Sequence, residues 1–154
     1  MKEVDLYVDG GCSGNPGPGG WAYILVHKSS EKEHSGYVAD TTNNRMELQA
    51  VIEGLKGLKE PCKVTIHTDS GYIYNAFMDN WIGAWQSQGW TRGKKRLPVL
   101  NVDLWQELIE NMKPHQVNWE KVKGHSGHEY NERADKLAVK AYRDKMKKKG
   151  KKDK

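Results

Sequence analysis

The segment Gly10-Gly11-Cys12-Ser13-Gly14-Asn15-Pro16-Gly17-Pro18-Gly19-Gly20 constrains this chain more than any other stretch. Its glycines leave the backbone unrestricted and its prolines remove amide donors, so it reads as turn chemistry that no helix can cross. The regular elements must lie on either side. Before it, Val4 to Val8 alternates apolar and polar residues, the pattern of a half-buried strand, and ends at Asp9. After it, Trp21 to His27 and Glu33 to Val38 read as two more strands, joined by Lys28-Ser29-Ser30.

Thr42-Asn43-Asn44 then offers N-cap residues to a helix carrying Met46, Ala50, Ile52, Leu55 and Leu58, which Pro61 stops. Val64 to Thr68 is a short β-branched strand that again ends at a carboxylate, Asp69. Helical pattern returns from Ser70 through Phe77, Trp81, Ile82 and Trp85, followed by a polar, basic loop to Pro98. Asn101 is placed to cap a helix with Leu104, Leu108 and Ile109. Gln116 to Val122 reads as the last strand, residues 123–127 as its loop, and His128 as the start of a final helix carrying Ala134, Leu137, Ala138 and Ala141. The order β-β-β-α-β-α-α-β-α predicts a mixed α/β domain with helices covering a sheet. Neither an internal repeat nor a dividing linker interrupts it.

At 154 residues the chain suits one domain with a real core. No apolar run approaches the roughly 20 residues of a membrane span. The start, Met1-Lys2-Glu3-Val4-Asp5, lacks the apolar centre of a signal peptide, so a cytoplasmic protein is expected. Cys12 and Cys62 have no metal-ligand spacing, and a disulfide is not expected between them in a reducing compartment.

The net charge is unevenly spread. Residues 145–154 hold seven Lys and one Asp, so the formal +5 leaves residues 1–144 at about −1. The expected division is a catalytic domain over 1–144 and a disordered Lys-rich tail over 145–154, either merely solubilising or attracted to a polyanion. Inside the domain, Asn80 to Val102 contains Arg92, Lys94, Lys95 and Arg96 and no acidic residue, a local basic patch.

Asp9 and Asp69 stand where two strands run out, the edge at which open α/β sheets bind ligands. Glu47 lies near the start of a helix, and Asp135 two turns into the last one. Four such acids could converge, and crowded carboxylates invite a hard cation such as Mg²⁺. Two ions about 3.5–4 Å apart can activate a water and stabilise the leaving oxygen of a phosphodiester. Each acid alone also has a plain explanation, as a turn former or as a charge favouring a helix dipole. Spacing does not separate Glu129 and Glu132 from Asp135. The residues by themselves lead to a metal-dependent hydrolase.

The surrounding residues narrow that reading. The segment Asp9 to Gly20 closely resembles the opening motif of bacterial type-1 ribonucleases H. Thr41-Thr42-Asn43-Asn44-Arg45-Met46-Glu47-Leu48 is similar to that family's second motif, and Thr68-Asp69-Ser70 to its third. Val122-Lys123-Gly124-His125-Ser126-Gly127-His128 with Asn131-Glu132-Arg133-Ala134-Asp135 resembles the fourth. The resemblance covers about residues 3–143 in unbroken order.

It implies a five-stranded mixed sheet, three antiparallel strands and then two parallel to the first, flanked by helices. It also implies a Mg²⁺-dependent endonuclease, with Mn²⁺ as a substitute. Such an enzyme would cut the RNA strand of RNA–DNA hybrids, leaving 5′-phosphate and 3′-hydroxyl ends, as in the removal of RNA primers and R-loops during replication and repair. Asp9, Glu47, Asp69 and Asp135 would be metal ligands, with Asp9 shared between two ions. His125 would assist proton transfer or product release, a task that suits an imidazole. Asn131 matches a residue near the metals.

Cys12, Asn15, Asn43 and Asn44 match minor-groove contacts, and Thr42 and Asn101 match a grip on a DNA-strand phosphate. Gly71 stands where many relatives carry a side-chain amide, and Asp40 where relatives often have Arg. Residues 81–100 resemble a basic protrusion. There Trp85, Lys94, Lys95 and Arg96 are expected to face substrate by stacking and charge, with Trp81 in the core. Tyr72, Trp105 and Trp119 are expected to be packing residues. A monomer binding the hybrid with no membrane association is the expected working form. The competing readings are a DNA-cutting nuclease of the same fold and a catalytically silent hybrid-binding module.

Overall fold

The computed structural model describes residues 1–122 and 129–152. The first strand, β1 (Lys2–Cys12), pairs antiparallel with β2 (Gly17–His27), which pairs antiparallel with β3 (Ser30–Thr41). Helix α1 (Asn43–Lys56) then crosses to β4 (Cys62–Thr68), parallel to β1. Helices α2 (Gly71–Met78) and α3 (Trp81–Ser87) lead to a small hairpin of β5 (Thr91–Arg92) and β6 (Leu97–Pro98). Helix α4 (Val102–Met112), strand β7 (Gln116–Lys121), parallel to β4, and helix α5 (Glu129–Lys152) complete the chain. The main sheet has the order β3-β2-β1-β4-β7. This is the five-stranded mixed sheet expected.

Alternation along the strands sorts the core onto two faces. Val4, Leu6 and Val8 of β1, Trp21, Tyr23 and Leu25 of β2, and Val64 and Ile66 of β4 pack with α1, α2 and α4. The intervening residues Tyr7 and Ile24 pack with Ala134 of α5. Period-two geometry thus puts α5 alone on the second face. Asp9, two residues after Tyr7 on β1, shares the α5 face, whereas Gly10 turns toward α1.

Three elements differ from the sequence expectation. The glycine-rich segment is mostly strand: β1 runs on through Cys12 and β2 begins at Gly17, leaving a short turn closed by the Ser13 amide donating to the Pro18 carbonyl at 2.7 Å. Glycine relaxes the cost of close approach without forbidding extension. The helix expected from Ser70 to Trp85 is broken at Asn80, whose φ of 54° is left-handed and tolerable for Asn. The backbone of α5 remains helical to Lys152, so the run from 145, expected to be disordered, continues the helix. Lys is a good helix former, and no Pro interrupts the segment.

Candidate active site

Thr42 caps α1: its hydroxyl accepts from the Arg45 amide at 3.3 Å, an interaction worth about 1 kcal/mol. This fixes where α1 begins and brings Glu47 over the end of β1. The approach depends on Gly10. A Cβ at that position would collide with the Met46 carbonyl group and lie 2.6 Å from the Glu47 nitrogen. Asp9 and Glu47 therefore meet from opposite faces of the sheet across a residue without a side chain.

Asp69 follows β4 directly. The Thr68 carbonyl accepts from the Val122 amide at 2.8 Å, the Thr68 hydroxyl accepts from the Ser70 amide at 3.0 Å, and the Ser70 hydroxyl caps α2 at the Ile73 amide. The turn holding Asp69 is thus fixed on both sides. Asp135 arrives on α5, which seats closely because Gly20 has no side chain: a Cβ there would strike the Ala138 carbonyl. Arg133, two residues before Asp135, bridges Glu31 at 3.0 Å and Glu33 at 2.9 Å on β3.

Carboxylate oxygens of Asp9, Glu47 and Asp69 lie within 4.8 Å of one another. Asp135 stands close enough to Asp9 for the two to share a proton, and all four line one open cleft with Gly10, Asn43, Asn44, Ser70, Gly71 and Tyr72. On α5 it is Asp135, not Glu129 or Glu132, that reaches the cleft. Burial, the proton shared with Asp135 and the charges of Asp69 and Asp135 raise Asp9 to about 8. Burial, then Asp9 and Asp69, hold Glu47 well above the usual carboxylate range. Among the described residues, Glu47 Oε2 is buried without a hydrogen-bond partner. Three carboxylates grouped within reach of one ion, with Asp135 beside them in the cleft, offer the hard oxygen donors that fit divalent metal ions.

Beside the acids, Asn15, Asn43 and Cys12 interlock. The Cys12 amide donates to Asn43 Oδ1 at 2.8 Å, and the Asn43 amide donates to Asn15 Oδ1 at 3.2 Å. This joins the β1–β2 turn to the start of α1. Both cysteines are free. Asn101 occupies the cap position of α4 but makes no side-chain cap bond. It is left-handed, with φ 61°, and its amide engages Arg45 and Tyr72 instead.

The two handle tryptophans exchange the surroundings expected of them. Trp85 is partly buried with its ring edge-on to Trp105 at 5.6 Å, and Trp81 is the exposed one. Lys94, Lys95 and Arg96 are exposed between β5 and β6. Trp105 is fully buried, and Tyr72 and Trp119 pack on the same core. His125 lies outside the described residues. Sequence reasoning did not single out Arg45, Tyr72 or Asp103 for this region. The available signal was a cation in the first turn of α1, where the helix dipole disfavours it.

The chain matches the RNase H family model over residues 1–143. This chain belongs to the ribonuclease H family. It is an endoribonuclease of that family, whose members degrade RNA in RNA–DNA hybrids. A ribonuclease H of Caldanaerobacter subterraneus subsp. tengcongensis is 59% identical over 136 residues, covering 88% of each chain. That of Acetivibrio thermocellus is 53% identical over 152 residues, covering 99% of this chain and all of the relative. Among solved structures, LC9-RNase H1, a type 1 RNase H with the type 2 active-site motif, superposes with a TM-score of 0.81 at 33% identity. That match covers 92% of this chain and 72% of LC9-RNase H1. LC11-RNase H1, solved in complex with an RNA/DNA hybrid, shares the fold at a TM-score of 0.72 and 23% identity, covering 93% and 99%. Among the described residues, no helix is long and apolar enough to cross a membrane.

Proposed function

We propose that this ribonuclease H hydrolyses the RNA strand of RNA–DNA hybrids internally, by two-metal-ion catalysis, leaving 5′-phosphate and 3′-hydroxyl ends. The observation that carries the reading is the meeting of Asp9, Glu47, Asp69 and Asp135 at one cleft, with Glu47 Oε2 buried and, among the described residues, unpartnered. These residues would hold Mg²⁺, with Mn²⁺ as a substitute, and Asp9, beside Asp135 and close to both other acids, would be the shared ligand. Bound there, divalent cations would activate water and stabilise the leaving oxygen.

The protein's own work is positioning. Asp9 and Glu47 are buried and give up protons to bind metal, which makes loading pH-dependent. His125 would move a proton or help product leave. Asn43 and Asn44 line the cleft, and Cys12 and Asn15 set the adjoining turn, so this edge would read a minor groove and its 2′-hydroxyls. Thr42 and Asn101 would hold a DNA-strand phosphate. Trp85, Lys94, Lys95 and Arg96 would steady the hybrid at the handle, although Trp85 does so from a partly buried position. Gly71 lines the cleft with, among the described residues, only Lys121 Nζ and Asn75 Nδ2 near its missing Cβ, so a groove contact made by a longer side chain elsewhere would be absent here. In the cell, the proposed role is removal of RNA primers and R-loops by a cytoplasmic monomer, joining replication and repair.

Cleavage of a labelled hybrid, duplex DNA and duplex RNA, each with and without Mg²⁺, tests the reading. Metal-dependent cutting confined to the RNA of the hybrid is expected. Preference for duplex DNA, or cutting indifferent to metal, would overturn it.

A further inference from the structure

Arg45 is in an unfavourable place. It lies in the first turn of α1, a turn without an acidic residue, where a cation opposes the helix dipole. Its guanidinium reaches to α4 and forms a fork with Asp103, at 3.0 Å to Oδ1 and 2.8 Å to Oδ2. The same NH1 donates to Asn101 Oδ1 at 3.3 Å. The backbone amide of Arg45 meanwhile donates to Thr42 Oγ1. One residue therefore touches both groups assigned above to a DNA-strand phosphate.

Asn101 is equally unusual. It stands at the N-cap of α4, where an Asn side chain normally bonds the helix's own amides, and it makes no such bond. It also accepts a left-handed backbone. Its amide is spent sideways, Oδ1 on Arg45 and Nδ2 on Tyr72 Oη at 3.3 Å. A guanidinium has donors and no acceptor, so it admits only one orientation of that amide, with the oxygen toward Arg45. The NH₂ group is turned the other way, with one hydrogen for Tyr72 and the second to offer. Tyr72 Oη also accepts from Trp105 Nε1 at 3.0 Å, which ties this arrangement to the buried core, and Tyr72 lines the cleft of the four acids.

We propose that Arg45, clamped by Asp103, is a positioning residue that fixes the Asn101 amide with its NH₂ group presented to a DNA-strand phosphate. The inference rests on the reading that Thr42 and Asn101 hold that phosphate. It makes Arg45 a determinant of substrate grip that acts through Asn101, without requiring contact between Arg45 and the substrate. It also explains a fork made by an exposed aspartate. Asp103 offsets the misplaced charge and stops the guanidinium from swinging to the phosphate itself.

The test is steady-state hybrid cleavage by the parent, Arg45→Met, Asn101→Ala and the double variant, each across a salt series. Both single variants should raise KM roughly ten- to a hundredfold, the size of one missing hydrogen bond involving a charged group, with kcat within about twofold. Arg45→Met should add less than about twofold to KM on top of Asn101→Ala. Arg45→Lys, which still shows only donors to Asn101 Oδ1, should restore most of the loss. If Asn101→Ala leaves KM unchanged, the phosphate reading itself fails. If Asn101→Ala raises KM but Arg45→Met does not, or if their effects multiply in full, the positioning role is overturned while the phosphate reading stands. A loss confined to kcat or to thermal stability would also overturn it.

Discussion

Gly10 and Glu47 face each other backbone to backbone: a Cβ on residue 10 would lie 2.6 Å from the Glu47 nitrogen and strike the Met46 carbonyl group. The distance between the end of β1 and the first turns of α1 is set by a missing methyl group. That spacing lets Glu47 reach Asp9 from across the sheet. Gly10→Ala should therefore cost about 2–3 kcal/mol of stability through overpacking. It should also weaken metal-dependent cleavage more than the stability loss explains. Urea unfolding together with a Mg²⁺ titration of activity measures both effects, and a fully active, fully stable Gly10→Ala enzyme would show that the approach is slack.

Asp9→Asn should remove Mg²⁺-dependent cleavage by at least about a thousandfold, because the residue nearest all three other acids can then neither share a proton nor hold two cations. Hybrid affinity, read by fluorescence anisotropy, should survive. Undiminished cutting by this variant would remove Asp9 from the mechanism.

Protonation of the carboxylate cluster gives the metal-free protein a pH dependence of stability. Asp9 is raised from an ordinary value of 3.8 to about 8, and Glu47 is shifted in the same direction. Between those values the folded chain binds protons that the unfolded chain has already released. Metal-free stability from this cluster is therefore fully present below pH 4 and falls as pH rises toward 8. Denaturant unfolding in EDTA should show Asp9→Asn gaining about 1–3 kcal/mol over the parent at pH 9 and much less at pH 5. Added Mg²⁺ should restore the parent at pH 9 and not the variant. A gap that is constant with pH would contradict the proton assignment.

Neutralising Lys94, Lys95 and Arg96 should raise KM and reduce the salt slope of hybrid affinity by about 0.9 for each phosphate that these cations neutralise in the parent. The three residues lie on an exposed hairpin with no part in the core, so unfolding midpoints should not move. An unchanged slope in equilibrium binding would make the patch a solvated surface.

Strand alternation and helical spacing made the element order legible, because Val4, Leu6 and Val8 obey the same period in sequence and in the sheet. The four carboxylates, and the expectation that they converge, were legible through their neighbouring motifs rather than through spacing alone. Spacing could not choose Asp135 over Glu129 and Glu132, because that choice depends on how α5 rests on Gly20. Nor could periodicity separate Trp81 from Trp85. They stand one helical turn apart on the same side of α3 with their rings 6.2 Å apart, and the ring of Trp85 reaches Trp105 while Trp81, at the first position of the helix, is left exposed. The misplaced charge of Arg45 was visible in the sequence, but its purpose was not, because the fork it forms is with Asp103, 58 positions away. Asn101 has the sequence signature of an ordinary cap, yet its side chain bonds to a different helix.

Asp135, on the last helix, shares a cleft with Asp9, on the first strand. A growing polypeptide that has left the ribosome only as far as β7 carries three of the acids and lacks the fourth, together with the helix covering Tyr7 and Ile24. On the proposed mechanism, synthesis order would delay nuclease competence until nearly the whole domain has emerged.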